Sequence, residues 1–386
     1  MTRFLNNAPR ALRLRMVHPV FVLLVTMIST TFTCSQQVEP GAFREARPGY
    51  TFQFPRDFNS HDDFKIEWWY YTGNLESENG RPFGYQLTFF RVALDGADKI
   101  KNPSRWKIDQ VYFAHMAVSD IESDRFYFFE RINRRGLNIA GAASDRLHVW
   151  NEDWELTGQD GAHLLKARES GTGLTLTLAS AKNPVVHGKS GVSVKGREPG
   201  NASHYFSYTR MNTRGTLSID GREYKVAGTS WMDHEFSSNQ LGKEQVGWDW
   251  FALTLDNQVE IMLYRIRLKN GEAEPFSSGT LVRADGSHRH LPLRDFSITP
   301  TGRWTSRNTR IAHPAGWRVS LPRDGVRLEI RPDMADQELY DLRSISGSYW
   351  EGSVSVAGRF NDRPVRGKGY VELVGYGKAL DTDLPD

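Results

Sequence analysis

EWWYYTGNL, residues 67–75, returns 180 residues later as GWDWFALTL, residues 247–255: Trp68 falls on Trp248, Tyr70 on Trp250 and Leu75 on Leu255. Each copy runs into a turn and a second strand-like segment, GYQLTFFR (84–91) and EIMLYRIR (260–267), setting Phe90-Arg91 against Tyr264-Arg265. A repeat this long exceeds a solenoid unit. It predicts two copies of one β-domain, each opening on a Trp-rich hairpin. Successive strand residues face opposite sides, so Trp68 and Tyr70 share one face while Glu67, Trp69 and Tyr71 share the other.

The remaining chain reads as strand and turn. Residues 84–94 and 111–118 carry β-formers, and residues 174–178 alternate Leu with Thr as a half-buried strand does. Turn pairs such as Asn79-Gly80, Asp220-Gly221, Asn270-Gly271 and Asp324-Gly325 punctuate it. No long helical period appears; short helices are expected near Asp109 and within 336–343. The class is all-β, a tandem pair of antiparallel β-barrels, because closure removes sheet edges. The Gly/Ser/Lys-rich residues 183–203 predict a long loop acting as a rim or flap. The expected domains are 50–228 and 229–386, joined near 221–242.

A chain of 386 residues has room for about two domains. Eleven Trp and 21 Phe require either a core or a cavity to line. The net charge of +3 comes from the start of the chain: without Arg3, Arg10, Arg13 and Arg15, 45 basic residues face 46 acidic ones. A nucleic-acid partner is therefore not indicated. Behind those arginines stand VFVLLVTMI (20–28) and Cys34. That is a secretory pattern, too short for a comfortable membrane span. Residues 1–34 read as a signal peptide or lipoprotein leader and 35–49 as a tether, giving an exported product, periplasmic or membrane-anchored. Cys34 is the only cysteine. It becomes either a lipidation site or a free thiol beside ordinary cleavage.

The densest set of chemical groups is GTSWMDHEF (228–236), with Trp231, Asp233, His234 and Glu235. A carboxyl and an imidazole beside aromatics suit general acid/base work, or a polar network fixing the joint between domains. Asp249 stands between Trp248 and Trp250 and needs a partner if buried. Tyr349 with Glu351, and Tyr370 with Glu372, repeat an aromatic-plus-acid pattern on the last strands, and His115 in its apolar run reads as a core histidine. The catalytic candidates are Asp233, His234, Asp249 and Tyr264, gathered around one apolar pocket near the join. Trp68, Tyr70, Trp231, Trp248, Trp250, Tyr349 and Glu351 are candidates for ligand contact, with barrel packing as the alternative. There is no GxSxG, P-loop, GxGxxG, CxxC or HExxH string, so neither a cofactor nor a metal is expected.

FPRDFNSHDDFKIEWWYYTGNL (54–75), SWMDHEF (230–236), GWDW (247–250), YWEG (349–352) and GYVELVGY (369–376) together resemble the carotenoid 1,2-hydratase/AttH-like family of lipocalin-like proteins. The resemblance implies two calycin-type barrels in tandem. It also implies an exported protein or lipoprotein, often associated with ABC export systems. Enzymatic branches of the family hydrate an isolated alkene, in carotenoid precursors or a prenylated isoflavonoid. Carried over by motif, the hydratase histidine is His234, Phe236 stands where a Trp is expected, and the tyrosine is Tyr264. The acid expected two residues later is replaced by Ile266, which leaves Asp233 or Asp249 to supply a proton. Three functions follow: an envelope protein that binds or handles an apolar lipid or isoprenoid; a cofactor-independent hydratase; or a non-catalytic subunit of an ABC export system, its barrels filled by their own side chains. A cavity separates the third from the others, and a buried acid lining it favours the hydratase.

Overall fold

Strand Ile66–Ser77 lies between Pro82–Ala93 and Arg222–Asn239. Gln245–Leu255 lies in the same way between Glu260–Leu268 and Arg363–Val374. The computed structural model describes residues 43–94, 108–159, 161–239, 241–345 and 347–379. The leader, Cys34 and residues 35–42 of the tether lie outside them.

The first sheet starts at Arg125–Arg134, passes through Gln110–Asp120, Pro82–Ala93, Ile66–Ser77, Arg222–Asn239, Ala202–Ile219 and Thr172–Ser180, and ends at Ala140–Ala142. Its two end strands are consecutive in the chain, so the sheet curls on itself. Across the gap the Asn133 amide donates to Asn151 Oδ1 at 2.7 Å and Arg131 pairs with Glu169 at 2.9 Å. The second sheet runs from His288–Pro292 through Ser278–Val282, Glu260–Leu268, Gln245–Leu255, Arg363–Val374, Gly347–Phe360, Val326–Pro332 and Trp317–Leu321 to Ser297–Pro300. The 3-10 turn Leu293–Asp295 joins its two ends. The result is two lipocalin-like antiparallel barrels in tandem.

Register refines the sequence reading at several points. Trp68 pairs with Phe90 and Trp248 with Ile266, so Phe90-Arg91 corresponds to Ile266-Arg267, two residues beyond the expected Tyr264-Arg265. A shift of two keeps the same face: the second hairpin turns two residues nearer its Trp than the first does, where the motif match implied three. The division at 228/229 falls inside Arg222–Asn239, a strand that belongs wholly to the first sheet. SWMDHEF is thus part of the first barrel. Gln110 starts a strand where a short helix was expected, and Glu338–Leu342 is a strand paired to Gly347–Phe360. Cross-strand partners override the weak local preference there. Residues 183–203 contain two short strands, Val185–Val186 and Ser193–Val194, both laid along Ala202–Ile219.

The inward faces fill both barrels. Trp69, Tyr71, Tyr85, Phe89, Trp154 and Phe206 occupy the first; Phe251, Leu263, Trp317 and Trp350 occupy the second. These side chains take up the interiors of both barrels. One end of the first barrel is tied by a buried hub. Glu67 accepts from the His61 backbone N–H at 2.9 Å, pairs with Arg91 Nε at 3.1 Å and meets His234 Nε2 at 2.9 Å. Burial alone would raise the Glu67 pKa, but Arg91 and the two histidines hold it well below the usual carboxylate range. Removing the Arg91 charge strands Glu67 in a low-dielectric interior. Arg91→Ala is expected to lower unfolding stability by about 3–5 kcal/mol, measured by urea denaturation; an unchanged midpoint would mean the hub bears no strain.

Candidate functional site

Because Trp69 and Tyr71 turn into their own barrel, Trp68 and Tyr70 must turn out of it. Trp248 and Trp250 do the same on the second barrel, and Tyr70 meets Trp250 edge-on at 5.1 Å. The barrels therefore pack through their outer aromatic faces. Gly84 permits the close approach, since a Cβ there would sit 2.8 Å from both Ser353 and the Tyr370 hydroxyl of the second barrel. The faces leave between them a cavity of about 200 Å³. Its walls include Trp68, Phe90, Phe113, Trp248, Trp250 and Ile266; its polar groups include Gln86, Lys195, Tyr205, Asp233, Glu235, Tyr264, Tyr349 and Glu372.

The repeat extends into these polar groups. Asp233 is paired with Tyr70 in the first sheet and Glu372 with Trp250 in the second, so the two acids hold equivalent positions in the two copies. Ser207 opposite Asp233 corresponds to Glu351 opposite Glu372, and Tyr205 corresponds to Tyr349. The environments of the two acids differ. Asp233 accepts from the Tyr205 hydroxyl at 2.7 Å, from Trp231 Nε1 at 2.6 Å and from the Ser207 hydroxyl. Glu372 accepts from Trp248 Nε1 at 2.6 Å, and no other side chain donates to it among the described residues. Burial pushes both pKa values up to about 7, and among the described residues neither carboxyl has an ion-pair partner within 4.0 Å. Glu351, cross-strand from Glu372, accepts the Tyr70 hydroxyl at 2.7 Å and is driven well above the usual range by burial and by Glu372.

A cation is present at one side. Lys195 Nζ lies 3.2 Å from Glu235 and 4.1 Å from the centre of the Tyr264 ring. Burial opposes the Lys195 charge, but Glu235 outweighs it and holds the pKa up. The segment carrying Lys195 also sends the Ser193 hydroxyl to within 3.0 Å of Tyr264 Oη and His187 Nδ1 to within 2.8 Å of Thr280 Oγ1. The expected flap is thus a strap fastened to the second barrel.

Of the four catalytic candidates, Asp233 and Tyr264 line the cavity, whereas His234 and Asp249 do not. His234 points into the first barrel, where burial lowers its pKa despite Glu67. Asp249 faces the interior of the second barrel, held by Arg265, Arg267 and the Tyr376 hydroxyl. Alternation is the reason: each neighbours, in sequence, a residue that faces the cavity. Trp68, Tyr70, Trp248, Trp250 and Tyr349 all line it, while Trp231 and Glu351 stand one layer behind, bonded to Asp233 and Tyr70. Sequence reasoning named Glu372 only as part of a pattern on the last strands, without a role, and passed over Tyr205, Lys195 and Gln86. Carrying the repeat through to the last strands would have found Glu372 and Tyr205; nothing in the pattern marks Lys195. His61, Glu67 and His234 offer ligand atoms within 4.8 Å of one another, as a metal site would. Arg91 already supplies the positive charge there, so the trio fits an ion poorly.

Comparisons with known proteins follow this geometry. The family model described as AttH-like matches residues 45–376. A crystal structure assigned as AttH from Nitrosomonas europaea has 33% identity, a TM-score of 0.79, and covers 87% of this chain and 100% of its own. Kievitone hydratase from Nectria haematococca has 16% identity and a TM-score of 0.65, covering 88% of this chain and 97% of its own. CghA, crystallised with Sch210972, has 15% identity and a TM-score of 0.50, covering 81% and 89%. The last two share the fold. The curated proteins contain no match.

The Trp248 indole reports directly on Glu372. Tryptophan emission is expected to titrate with an inflection near pH 7, and Glu372→Gln should remove the Trp248 part of it and leave the part that Trp231 reports from Asp233. The folded protein keeps a proton on Glu372 that the unfolded chain has lost. The Glu372 contribution to stability, read as the difference between the parent and Glu372→Gln, should therefore fall as pH rises from the ordinary carboxyl range to about 7, by roughly 3 kcal/mol, and level off above. An emission curve flat across neutrality would contradict this assignment.

Proposed function

Because the chain belongs to the AttH-like family, we propose that it is a cofactor-independent acid catalyst that adds water to an isolated alkene of an apolar, isoprenoid-type ligand. The observation that carries this reading is the pair of buried, unneutralised carboxyls on an aromatic-walled cavity. An alkene is a poor proton acceptor, so its protonation needs a neutral acid held in a dry site. Glu372, with one hydrogen bond, fits that role. Its proton goes to one alkene carbon and the other becomes a tertiary cation, faced by the rings of Trp248 and Trp250. Water attacks that carbon and loses a proton to Tyr205 as the Tyr205 proton passes to Asp233. Trp250 Nε1, donating to Tyr205 Oη at 3.1 Å, keeps that oxygen in place. Return of the proton from Asp233 to Glu372 closes the cycle. The kievitone hydratase likeness gives a relative of the same fold whose name carries this reaction type.

A second reading keeps the ligand without the turnover: an exported protein that binds or handles a lipid or isoprenoid at the envelope. The half-exposed apolar rim around Trp68, Leu241 and Ile345 favours it. Export rests on the leader, membrane anchoring on Cys34, and association with ABC components on the family resemblance.

Incubation with an acyclic trisubstituted alkene in water labelled with heavy oxygen separates the readings. Labelled tertiary alcohol should form with a rate maximum near pH 7, since the acid must be protonated and the base ionised. Glu372→Gln should lower the rate by about 10²–10⁴-fold while Trp quenching by the alkene persists. His234→Ala should spare the chemistry wherever it folds. Quenching without labelled product would support the handling protein.

A further inference from the structure

The cavity has a polar end away from Asp233, and its hydrogen bonds run in one direction. Glu130, on strand Arg125–Arg134, accepts the backbone N–H of Ser344 at 2.8 Å and lies 3.6 Å from His115 Nε2. Facing that carboxylate, Nε2 carries the ring proton and donates to Ser344 Oγ at 2.8 Å. In that tautomer Nδ1 accepts the Tyr349 hydroxyl at 2.8 Å. Tyr349 has no second proton, so its oxygen must accept from its remaining neighbour, the Gln86 amide nitrogen at 3.2 Å. The same nitrogen donates to Thr88 Oγ1 at 2.8 Å. The chain therefore fixes which way the Gln86 amide faces. Its nitrogen is turned to the protein, and Oε1, on a side chain 1% exposed that lines the cavity, meets no protein donor.

A buried acceptor without a donor is costly, and a ligand group that donates to it recovers that cost. We propose that Gln86 Oε1 is a recognition site for a hydroxyl group on the ligand, so that the substrate class is a hydroxylated isoprenoid or lipid rather than a pure hydrocarbon. This rests on the cavity being a ligand site, as argued above, but not on turnover. An ether or ester oxygen cannot satisfy Gln86, because both partners would be acceptors. An alcohol or phenol can. Glu351 and Glu372 lie on this side, where burial and these two acids raise the Tyr349 pKa, so a ligand anchored here by its hydroxyl would lie with its apolar body between the Trp faces and its far end toward Asp233.

Quenching of the cavity tryptophans measures this with three probes: citronellol, its methyl ether, and the hydrocarbon in which hydrogen replaces the hydroxyl. On the parent protein the alcohol should bind about three- to tenfold more tightly than the ether, one hydrogen bond's worth. In Gln86→Leu that advantage should vanish while the hydrocarbon binds as well as before or better, which also shows that the variant is folded; Gln86→Met serves if the leucine variant does not fold. Equal affinities for alcohol and ether on the parent, or an advantage that survives in the variant, would overturn the assignment. Failure of all three probes to quench would overturn the cavity reading beneath it. Absence of hydration would touch the catalytic proposal alone, since turnover is not read.

Discussion

Both Trp-rich strands are buried on both faces, and the structure depends on that constraint. A strand at the edge of a solvated sheet can keep one polar face. Ile66–Ser77 and Gln245–Leu255 cannot, because one set of alternate side chains fills each barrel and the other set meets the opposite barrel. Either barrel alone would expose a broad aromatic face, including Tyr70, Trp231, Trp250 and Tyr264. Packing the faces together buries that surface, but two twisted sheets do not match perfectly. The mismatch leaves the cavity, and Gln86, Tyr205, Asp233, Tyr264, Tyr349 and Glu372, which reach into it, are strand residues held by the sheets, while Lys195 comes from the strap.

How much of this was legible in the sequence follows from the same alternation. The duplication, the all-β class and the aromatic walls could be read because they depend on spacing along one strand. The side a residue faces could not, since a period of two names the partners that share a face and leaves open which face looks inward. His234 and Asp249 illustrate the difficulty: each sits one residue from a cavity residue and each is turned to its own barrel. Asp233 and Tyr264 fell on the other side of the same ambiguity. The partner of Asp249 was likewise out of reach. Arg265 and Arg267 lie on the next strand, and only the register, two residues off the simple alignment, brings them to it. Lys195 enters from a segment with no repeat counterpart, so no internal comparison could flag it.

The two buried polar centres serve opposite ends. The Glu67 carboxylate is compensated: a cation and two imidazoles surround it and depress its pKa. The cavity acids have no such compensation, and burial raises theirs. A fold that can satisfy one carboxylate with an arginine and yet leaves two others without a directly paired cation among the described residues keeps those two at some cost in stability. Such uncompensated groups are where reactivity is expected to reside.

The equivalence of Asp233 and Glu372 has a consequence for the origin of such a chain. A single barrel of this kind could bury its outer face only against another copy of itself, and a symmetric dimer would present two identical acids in identical surroundings. Identical acids titrate alike and cannot be assigned separate tasks except by sharing a proton. Joining the copies in one polypeptide lifts that restriction. One acid has acquired three donors and the other only one, one cross-strand neighbour is Ser207 and the other Glu351. Fusion here is a means of breaking symmetry, and the proposed division of labour between donor and acceptor is what the broken symmetry permits.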